Sequence, residues 1–351
     1  MNEINRRNLG LGLLGSVAAS GLLAASSKAL AAMTAAPADP FALVDPELLA
    51  GAKALPQTTV SKAILPMMRA RPGFPPKPAP APQPVVKTIP GPKGAPDVSV
   101  MVIDGTGGQK GCPAYLHMHG GGFVGGRVDG GPGALQDIAA ACGALVVSVD
   151  YRLAPETAFP GSLEDNYAAL RWMNLNAASL GIDPKRIAVG GESAGGGHAA
   201  MLAIAARDRG EYALAFQLLI YPMLDDRTGS TKPAPEHIGH FLWNSGSNRF
   251  GWESLLGMAP GSANPPAGSV PARVKDLSGL PPTFIGVGAL DLFVDEDVDY
   301  ARRLIAAGVP TELLVVPGAY HGFNGVVPKA SVSVRFNAQA LNALKRGWGL
   351  S

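Results

Sequence analysis

The amino-acid sequence predicts an α/β protein whose central sheet is mostly parallel and flanked by helices. Short runs of mostly apolar residues, continuous rather than alternating with polar ones, recur from residue 114 onward, which is typical of strands covered on both faces. The runs span residues 114–118, 145–149, 187–189, 214–220, 283–287 and 313–316. Segments with helical spacing lie between them, for example at 163–173 and 295–308. Because strand and helix alternate, right-handed strand–helix–strand units are predicted.

The first 31 residues have the order of an export signal. Arg6 and Arg7 precede an uncharged stretch at 8–27, and a small-residue cleavage site follows Lys28. This order is typical of a cleaved secretory signal, and the arginine pair resembles the twin-arginine signal of bacteria. The sequence therefore predicts an exported protein, periplasmic or secreted. An uncleaved membrane anchor is the alternative.

The next segment, residues 32–84, is predicted to be helical and proline-rich. Asp45 can cap a helix whose first position Pro46 can occupy. From residue 72 to 96, ten of 25 residues are proline, which excludes a helix or a central strand. This stiff connector leads into an α/β domain over residues 85–351. Residues 225–270 interrupt the alternation, and we expect them to form an inserted lid with its own helices.

Composition and charge narrow the classes of function. Hydrophobic residues make up 47% of the chain and charged residues 16%, a globular composition. Three of the 29 basic and one of the 27 acidic residues lie in residues 1–31, which leaves 26 of each sign. That balance argues against nucleic acid as the main partner. Cys112 and Cys142 are too few for a disulfide framework, and one disulfide or two thiols are both allowed.

A Gly-x-Ser-x-Gly pattern follows the strand run that ends at residue 189. The pattern, Gly191-Glu192-Ser193-Ala194-Gly195, opens a segment that is predicted to be helical. A sharp strand-to-helix turn strains the serine backbone and needs glycines two residues either side, while the helix N-terminus presents free N–H groups to negative charge. Ser193 is therefore a candidate nucleophile. An ordinary glycine turn is the alternative.

A second glycine-rich turn, His119-Gly120-Gly121-Gly122-Phe123, follows the run at 114–118. In lipases and esterases this loop supplies backbone donors to an oxyanion, together with the residue after the nucleophile, here Ala194. The alternative is a flexible turn in which His117 and His119 form part of a metal site. Two visible ligands are too few for a metal.

The base and its acid should follow the serine in the order acid, then histidine. His321 lies on the loop after the run at 313–316, and Asp291 directly follows the run at 283–287. The other histidines lie before the serine, in the following helix or in the insertion: His117, His119, His198, His237 and His240. We expect His198 to be packed and hydrogen-bonded in the fold.

Three further acids, Asp295, Glu296 and Asp297, compete with Asp291. They sit where the next helix starts, and acids in a first turn usually complement the helix dipole. A calcium loop is a further alternative, but the central glycine and the terminal glutamate of such a loop are missing. Asp291 is therefore the predicted orienting acid.

Together these motifs resemble the hormone-sensitive-lipase-like, or type IV, family of α/β-hydrolase carboxylesterases and lipases. The likeness extends over about residues 85–347. Four stretches carry it: residues 119–122, Asp150-Tyr151-Arg152-Leu153-Ala154-Pro155-Glu156, residues 191–196 and Tyr320-His321-Gly322-Phe323. The resemblance implies an α/β-hydrolase fold with a helical cap, made from the N-terminal segment and the insertion.

The resemblance also implies the parts of an active site. Ser193 would be the nucleophile, His321 the base and Asp291 its orienting acid. The oxyanion hole would be formed by the amides of Gly121, Gly122 and Ala194, and the motifs are completed by His119, Gly120, Gly191, Glu192 and Gly195. The family commonly has Pro-Leu after the acid, where this chain has Leu292-Phe293. No metal and no organic cofactor is implied.

The expected function is hydrolysis of short- to medium-chain acyl esters through an acyl-enzyme. The same triad could act on amides, lactones or acetylated sugars. A ligand-binding homologue without catalysis is the alternative from another class. The expected partner is a small-molecule ester, not nucleic acid, with membrane contact only through the signal or the lid. The chain is expected to be a monomer or a homodimer.

Overall fold

The central sheet has eight strands in a computed structural model that describes residues 39–350. The strands are β1 (Pro84–Ile89), β2 (Val98–Asp104), β3 (Cys112–Met118), β4 (Leu145–Asp150), β5 (Ile182–Glu192), β6 (Phe216–Ile220), β7 (Thr283–Gly288) and β8 (Thr311–Val316). Their order across the sheet is β1-β2-β4-β3-β5-β6-β7-β8. β2 is antiparallel to β1 and β4, and the other neighbouring strands are parallel. The predicted α/β class with a mostly parallel sheet is confirmed.

Helices cover both faces of the sheet. They are α1 (Leu49–Ala54), α2 (Leu65–Arg69), α3 (Pro132–Cys142), α4 (Gly161–Leu175), α5 (Ala177–Leu180), α6 (Ala194–Arg209), α7 (Ser245–Leu256), α8 (Val294–Ala306), α9 (Phe323–Val326) and α10 (Ser331–Gly347), with short 3-10 helices at Val128–Gly130 and Pro271–Arg273. Successive strand residues point to opposite faces. Tyr115 therefore lies in the core on the face covered by α3 and α10, whereas Leu116 lies in the core on the face covered by α4, α6 and α8.

The predicted strand runs fall on observed strands, with their ends displaced by a few residues. The run at 214–220 becomes strand only at Phe216, and the last strand begins at Thr311, before the run at 313–316. β1 begins inside the proline-rich connector. Proline is tolerated there because β1 is an edge strand and Pro84 is its first residue.

The N-terminal helices and the insertion come together above the sheet's carboxyl edge. The insertion between β6 and β7 contains α7, which starts at a capping Asn244. The backbone N–H of Val60, between α1 and α2, donates to Ser247 Oγ on α7 at 2.9 Å. This contact fits the predicted cap, although the domain boundaries themselves stay a prediction.

Three sequence expectations concern export, the membrane and cysteine. The predicted export signal at residues 1–31 lies outside the described residues. Between residues 39 and 350, no helix combines the length and the apolar character that crossing a bilayer requires. Cys112 on β3 and Cys142 at the end of α3 are both buried free thiols.

Candidate active site

Ser193 stands at the turn between β5 and α6. Its φ of 57° and ψ of −121° are a strained conformation for a residue with a side chain. A Cβ at Gly191 or Gly195 would lie 2.1 Å or 2.0 Å from the carbonyl oxygen of Met118 on β3. Both glycines are therefore needed for the turn to pack against β3.

His321 links the serine to a buried carboxylate. Ser193 Oγ lies 3.0 Å from His321 Nε2, and Asp291 Oδ2 lies 2.7 Å from His321 Nδ1. An ionised carboxylate only accepts, so Nδ1 carries the proton, and Nε2 of the neutral ring accepts from the serine hydroxyl. The N–H of Phe293 donates to the other oxygen of Asp291 at 3.0 Å. The structure thus brings the three predicted residues together in hydrogen-bonding order.

Two aromatic side chains, absent from the sequence prediction, hold the His321 ring. Tyr221 and Phe293 contact it edge-on, with ring centroids 4.9 Å and 5.1 Å away. Phe293 belongs to the Leu292-Phe293 pair that departs from the family pattern, and both side chains are buried. Neither position carries a motif, so only the fold reveals these contacts.

The competing acids do not reach His321. Glu296 accepts the N–H groups of Leu224 and Asp225 at 2.6 Å and 3.2 Å, and Asp297 is fully buried with no hydrogen bond to its carboxyl oxygens among the described residues. Burial raises the pKa of both Glu296 and Asp297 well above the ordinary value. All three acids lie in the first turn of α8, as predicted. Glu296 and Asp297 face the core, and of the three only Asp295 is exposed.

The glycine-rich loop runs directly beside the serine. A Cβ at Gly121 (φ 130°) would lie 2.2 Å from the carbonyl oxygen of Gly125, and one at Gly122 (φ 61°) would lie 2.0 Å from the Trp243 ring. In the described part of the chain, the N–H groups of Gly121, Gly122 and Ala194 donate to no backbone carbonyl. Three unengaged donors therefore lie at the turn, as an oxyanion hole requires.

His119 and Tyr151 fix the base of this loop. The Tyr151 hydroxyl donates to the carbonyl oxygen of His119 at 2.7 Å, and the two rings stack at 4.3 Å. His119 Nδ1 lies 2.9 Å from the carbonyl oxygen of Gly120, so it donates. Burial lowers the pKa of His119 to about 4, which keeps the ring neutral near pH 7.

His198 departs from its sequence expectation. It is fully buried, with Phe123 and Tyr151 edge-on at 5.0 Å and 4.5 Å. Neither ring nitrogen has a hydrogen-bond partner among the described residues, so the expectation of a hydrogen-bonded histidine is wrong and only the packing holds. Burial lowers the pKa of His198 to about 3.

His117, which the alternative of a partial metal site had paired with His119, is hydrogen-bonded to other side chains. His117 Nδ1 lies 2.8 Å from Ser148 Oγ, and its Nε2 lies 2.9 Å from Glu192 Oε2. Within residues 39–350, no three side chains of His, Cys, Asp or Glu are arranged to hold a metal ion.

A cavity of about 980 Å³ opens beside the site. It lies between α3 and α10, over β3, β5 and β6, and its lining includes Gly120, Gly121 and Tyr221 next to the triad. The volume is at the upper end of those of small-molecule sites.

Known proteins share this sequence and fold. A family model described as alpha/beta hydrolase fold matches residues 115–325. The chain is 39% identical over 253 residues to Esterase LipI of Mycobacterium tuberculosis, covering 68% of this chain and 75% of that protein. It is 40% identical over 246 residues to Carboxylesterase NlhH of the same species, covering 67% and 73%. A solved bacterial heroin esterase matches with a TM-score of 0.78 at 37% identity, covering 88% of this chain and 99% of that one.

Proposed function

This enzyme belongs to the α/β hydrolase fold family, as its motifs predicted, and on that premise we propose that it is a serine carboxylesterase acting on short- to medium-chain acyl esters. One observation carries the proposal: the hydrogen-bonded order Asp291, His321, Ser193 ends beside three unengaged N–H groups. That arrangement suits acyl transfer better than any other reaction class.

His321 would begin the reaction by taking the Ser193 proton on Nε2. The serine oxygen attacks the ester carbonyl, and the amides of Gly121, Gly122 and Ala194 stabilise the tetrahedral oxyanion. Asp291 keeps the proton on Nδ1 and stabilises the imidazolium. His321 then protonates the departing alcohol. In the second half of the reaction, water, activated by His321, attacks the acyl-enzyme and releases the acid and Ser193.

The enclosure of the site supports a short to medium acyl chain. Ser193 and His321 are 7% and 5% exposed. Trp243 closes the space over Gly122. A long chain would have to displace these groups or turn into the neighbouring cavity. Amides, lactones and acetylated sugars share the same mechanism, and no contact in the site favours them over simple esters.

The test is hydrolysis of p-nitrophenyl esters from acetate to palmitate, by the wild type, Ser193→Ala and Ser179→Ala. Ser179 is an exposed serine on α5, so it controls for the chemical change. We expect kcat to be highest for the shorter chains and to fall roughly 10⁴-fold or more in Ser193→Ala alone. Equal activity of the two variants, or no activity on any ester, would contradict the proposal.

We propose also that the enzyme is exported. The support is the Arg6-Arg7 pair followed by an uncharged stretch and a small-residue site. Mass spectrometry of the protein from its own cells should find an N-terminus near residue 32 in the exported fraction. Recovery of the uncleaved chain in the cytoplasm would exclude the signal.

A further inference from the structure

The wall of the cavity beside the triad is partly apolar and includes a hydrogen-bonded pair of polar side chains. Tyr115, Leu218, Ile220 and Phe336 form much of the wall, and His117 and Glu192 line it between them. Binding pockets are commonly apolar, with a few oriented polar groups that choose the ligand. The role of this pair is therefore a question of specificity.

The pair is held in place by three neighbouring strands. Glu192 ends β5, His117 lies on β3, and Ser148 lies on β4. Glu192 Oε2 lies 2.9 Å from His117 Nε2, and His117 Nδ1 lies 2.8 Å from Ser148 Oγ. These residue types match a catalytic triad, but Ser148 is fully buried and cannot meet an ester. The chain of hydrogen bonds instead orients the carboxylate.

The carboxylate of Glu192 is open to the cavity. Its side chain is 40% exposed, against 7% for His117. Among the described residues, no side chain donates to its second oxygen, Oε1. Burial opposes ionisation, but the charge and the hydrogen bond of His117 outweigh it and lower the pKa of Glu192. A carboxylate that His117 holds in place, with one oxygen that accepts from no side chain among the described residues, thus lines the cavity.

Most of the other charged residues that line the cavity are ion-paired. Ion pairs join Arg69 to Glu156, Lys77 to Asp137, and Arg127 to Asp129. Arg71 is exposed and has no ion pair among the described residues. In the described part of the chain, none of these cations pairs with Glu192, whose ion-pair partner is His117.

We propose that Glu192 recognises esters whose acyl or alcohol part carries a protonated amine, which donates to Oε1 while the ester carbonyl lies at Ser193. The cavity volume admits a ring-sized group. This inference rests on the proposed function for its substrate class, because the amine site serves the same serine.

Two matched pairs of esters test whether a protonated amine is recognised on the alcohol side or on the acyl side of the ester. On the alcohol side, 2-(dimethylamino)ethyl benzoate is compared with 3-methylbutyl benzoate, its neutral isostere. On the acyl side, 4-nitrophenyl 4-(dimethylamino)butanoate is compared with 4-nitrophenyl 5-methylhexanoate. We expect the wild type to prefer the amine in at least one pair, by roughly tenfold in kcat/KM, as one charge-assisted hydrogen bond allows.

The same assays on Glu192→Gln and Glu253→Gln identify the residue responsible. Glu253 is an exposed glutamate on α7, so its variant loses the same charge away from the cavity. We expect Glu192→Gln to abolish the preference through KM, and Glu253→Gln to keep it. No preference in either pair, or a preference that survives in Glu192→Gln, would overturn the proposal.

Calorimetry measures amine binding independently of ester hydrolysis. Protonated N,N-dimethylbenzylamine is titrated into Ser193→Ala and into Ser193→Ala/Glu192→Gln. Binding that weakens roughly tenfold in the double variant supports the amine site. If the wild type then hydrolysed no ester, the proposed function would fail while the amine site stood. Equal binding to both proteins would overturn the amine site.

Discussion

At the scale of single residues, His198 gives the molecule a specific sensitivity to acid. Both of its ring nitrogens lack partners among the described residues, and burial lowers its pKa to about 3. The unfolded chain binds a proton near pH 6.5 and the folded chain does not, so this residue costs more stability as pH falls. We expect His198→Leu to gain about 3 kcal/mol over the wild type on going from pH 7 to pH 4.

Urea unfolding at a series of pH values measures this difference in free energy. His240→Leu is the matched control, because His240 is exposed. The pH dependence of the His198→Leu difference is judged against that of this control. A difference for His198→Leu that does not grow as pH falls would show that the ring is solvated or hydrogen-bonded in the folded protein.

Residue types and spacing were enough to predict Ser193, His321 and Asp291, because each follows a strand that ends at the same sheet edge. The residues that support them were not predictable. Tyr221 and Phe293 contact the His321 ring from two different loops, and no local sequence pattern predicts these contacts. The sequence around a single buried histidine such as His198 likewise does not show whether its neighbours in the fold can hydrogen-bond to it.

At the scale of elements, the strands from β3 onward could be predicted from the sequence, whereas β1 and β2 could not. Buried strands such as β7 are continuous aliphatic runs. β1 has an exposed middle, including Val85 and Val86, and begins within the proline-rich connector. β1 forms a strand by pairing with β2, which lies antiparallel beside it. The local sequence of β1 alone therefore gave little indication that it is a strand.

Through Arg69, helix α2 supports the loop that carries the proposed oxyanion amides. The Arg69 guanidinium donates to the carbonyl oxygens of Val124 and Ala154 at 2.8 Å and 2.7 Å, and it pairs with Glu156. Arg69→Gln removes these contacts and loosens the loop. We expect kcat to fall roughly tenfold, since misplaced oxyanion donors lose transition-state stabilisation, with a stability loss of about 1–3 kcal/mol.

Arg71→Gln is the control for this element, because Arg71 is two residues further on and forms no ion pair among the described residues. Initial rates on a short-chain ester and urea unfolding are measured for both variants. If Arg69→Gln and Arg71→Gln were equally active, α2 would have no part in positioning the loop.

At the scale of the whole molecule, the N-terminal helices α1 and α2 belong to the same compact unit as the central sheet. Residues from Pro40 onward form one compact unit. Leu48 is fully buried in the same core as Tyr320, which directly precedes His321, and its carbonyl oxygen accepts from the Tyr320 hydroxyl at 3.3 Å. The sequence predicted a helical appendage here, but not this contact, because it joins residues 272 positions apart.

Because these contacts cross the whole chain, we expect one cooperative unfolding transition. Tryptophan fluorescence and residual esterase activity should be lost at the same temperature. Leu48→Ala removes a fully buried side chain and should cost about 2–5 kcal/mol, lowering both midpoints together by several degrees. Leu43→Ala, at a 45% exposed position, should move neither. If Leu48→Ala lowered only the activity midpoint, the N-terminal helices would unfold as a separate unit above an intact sheet.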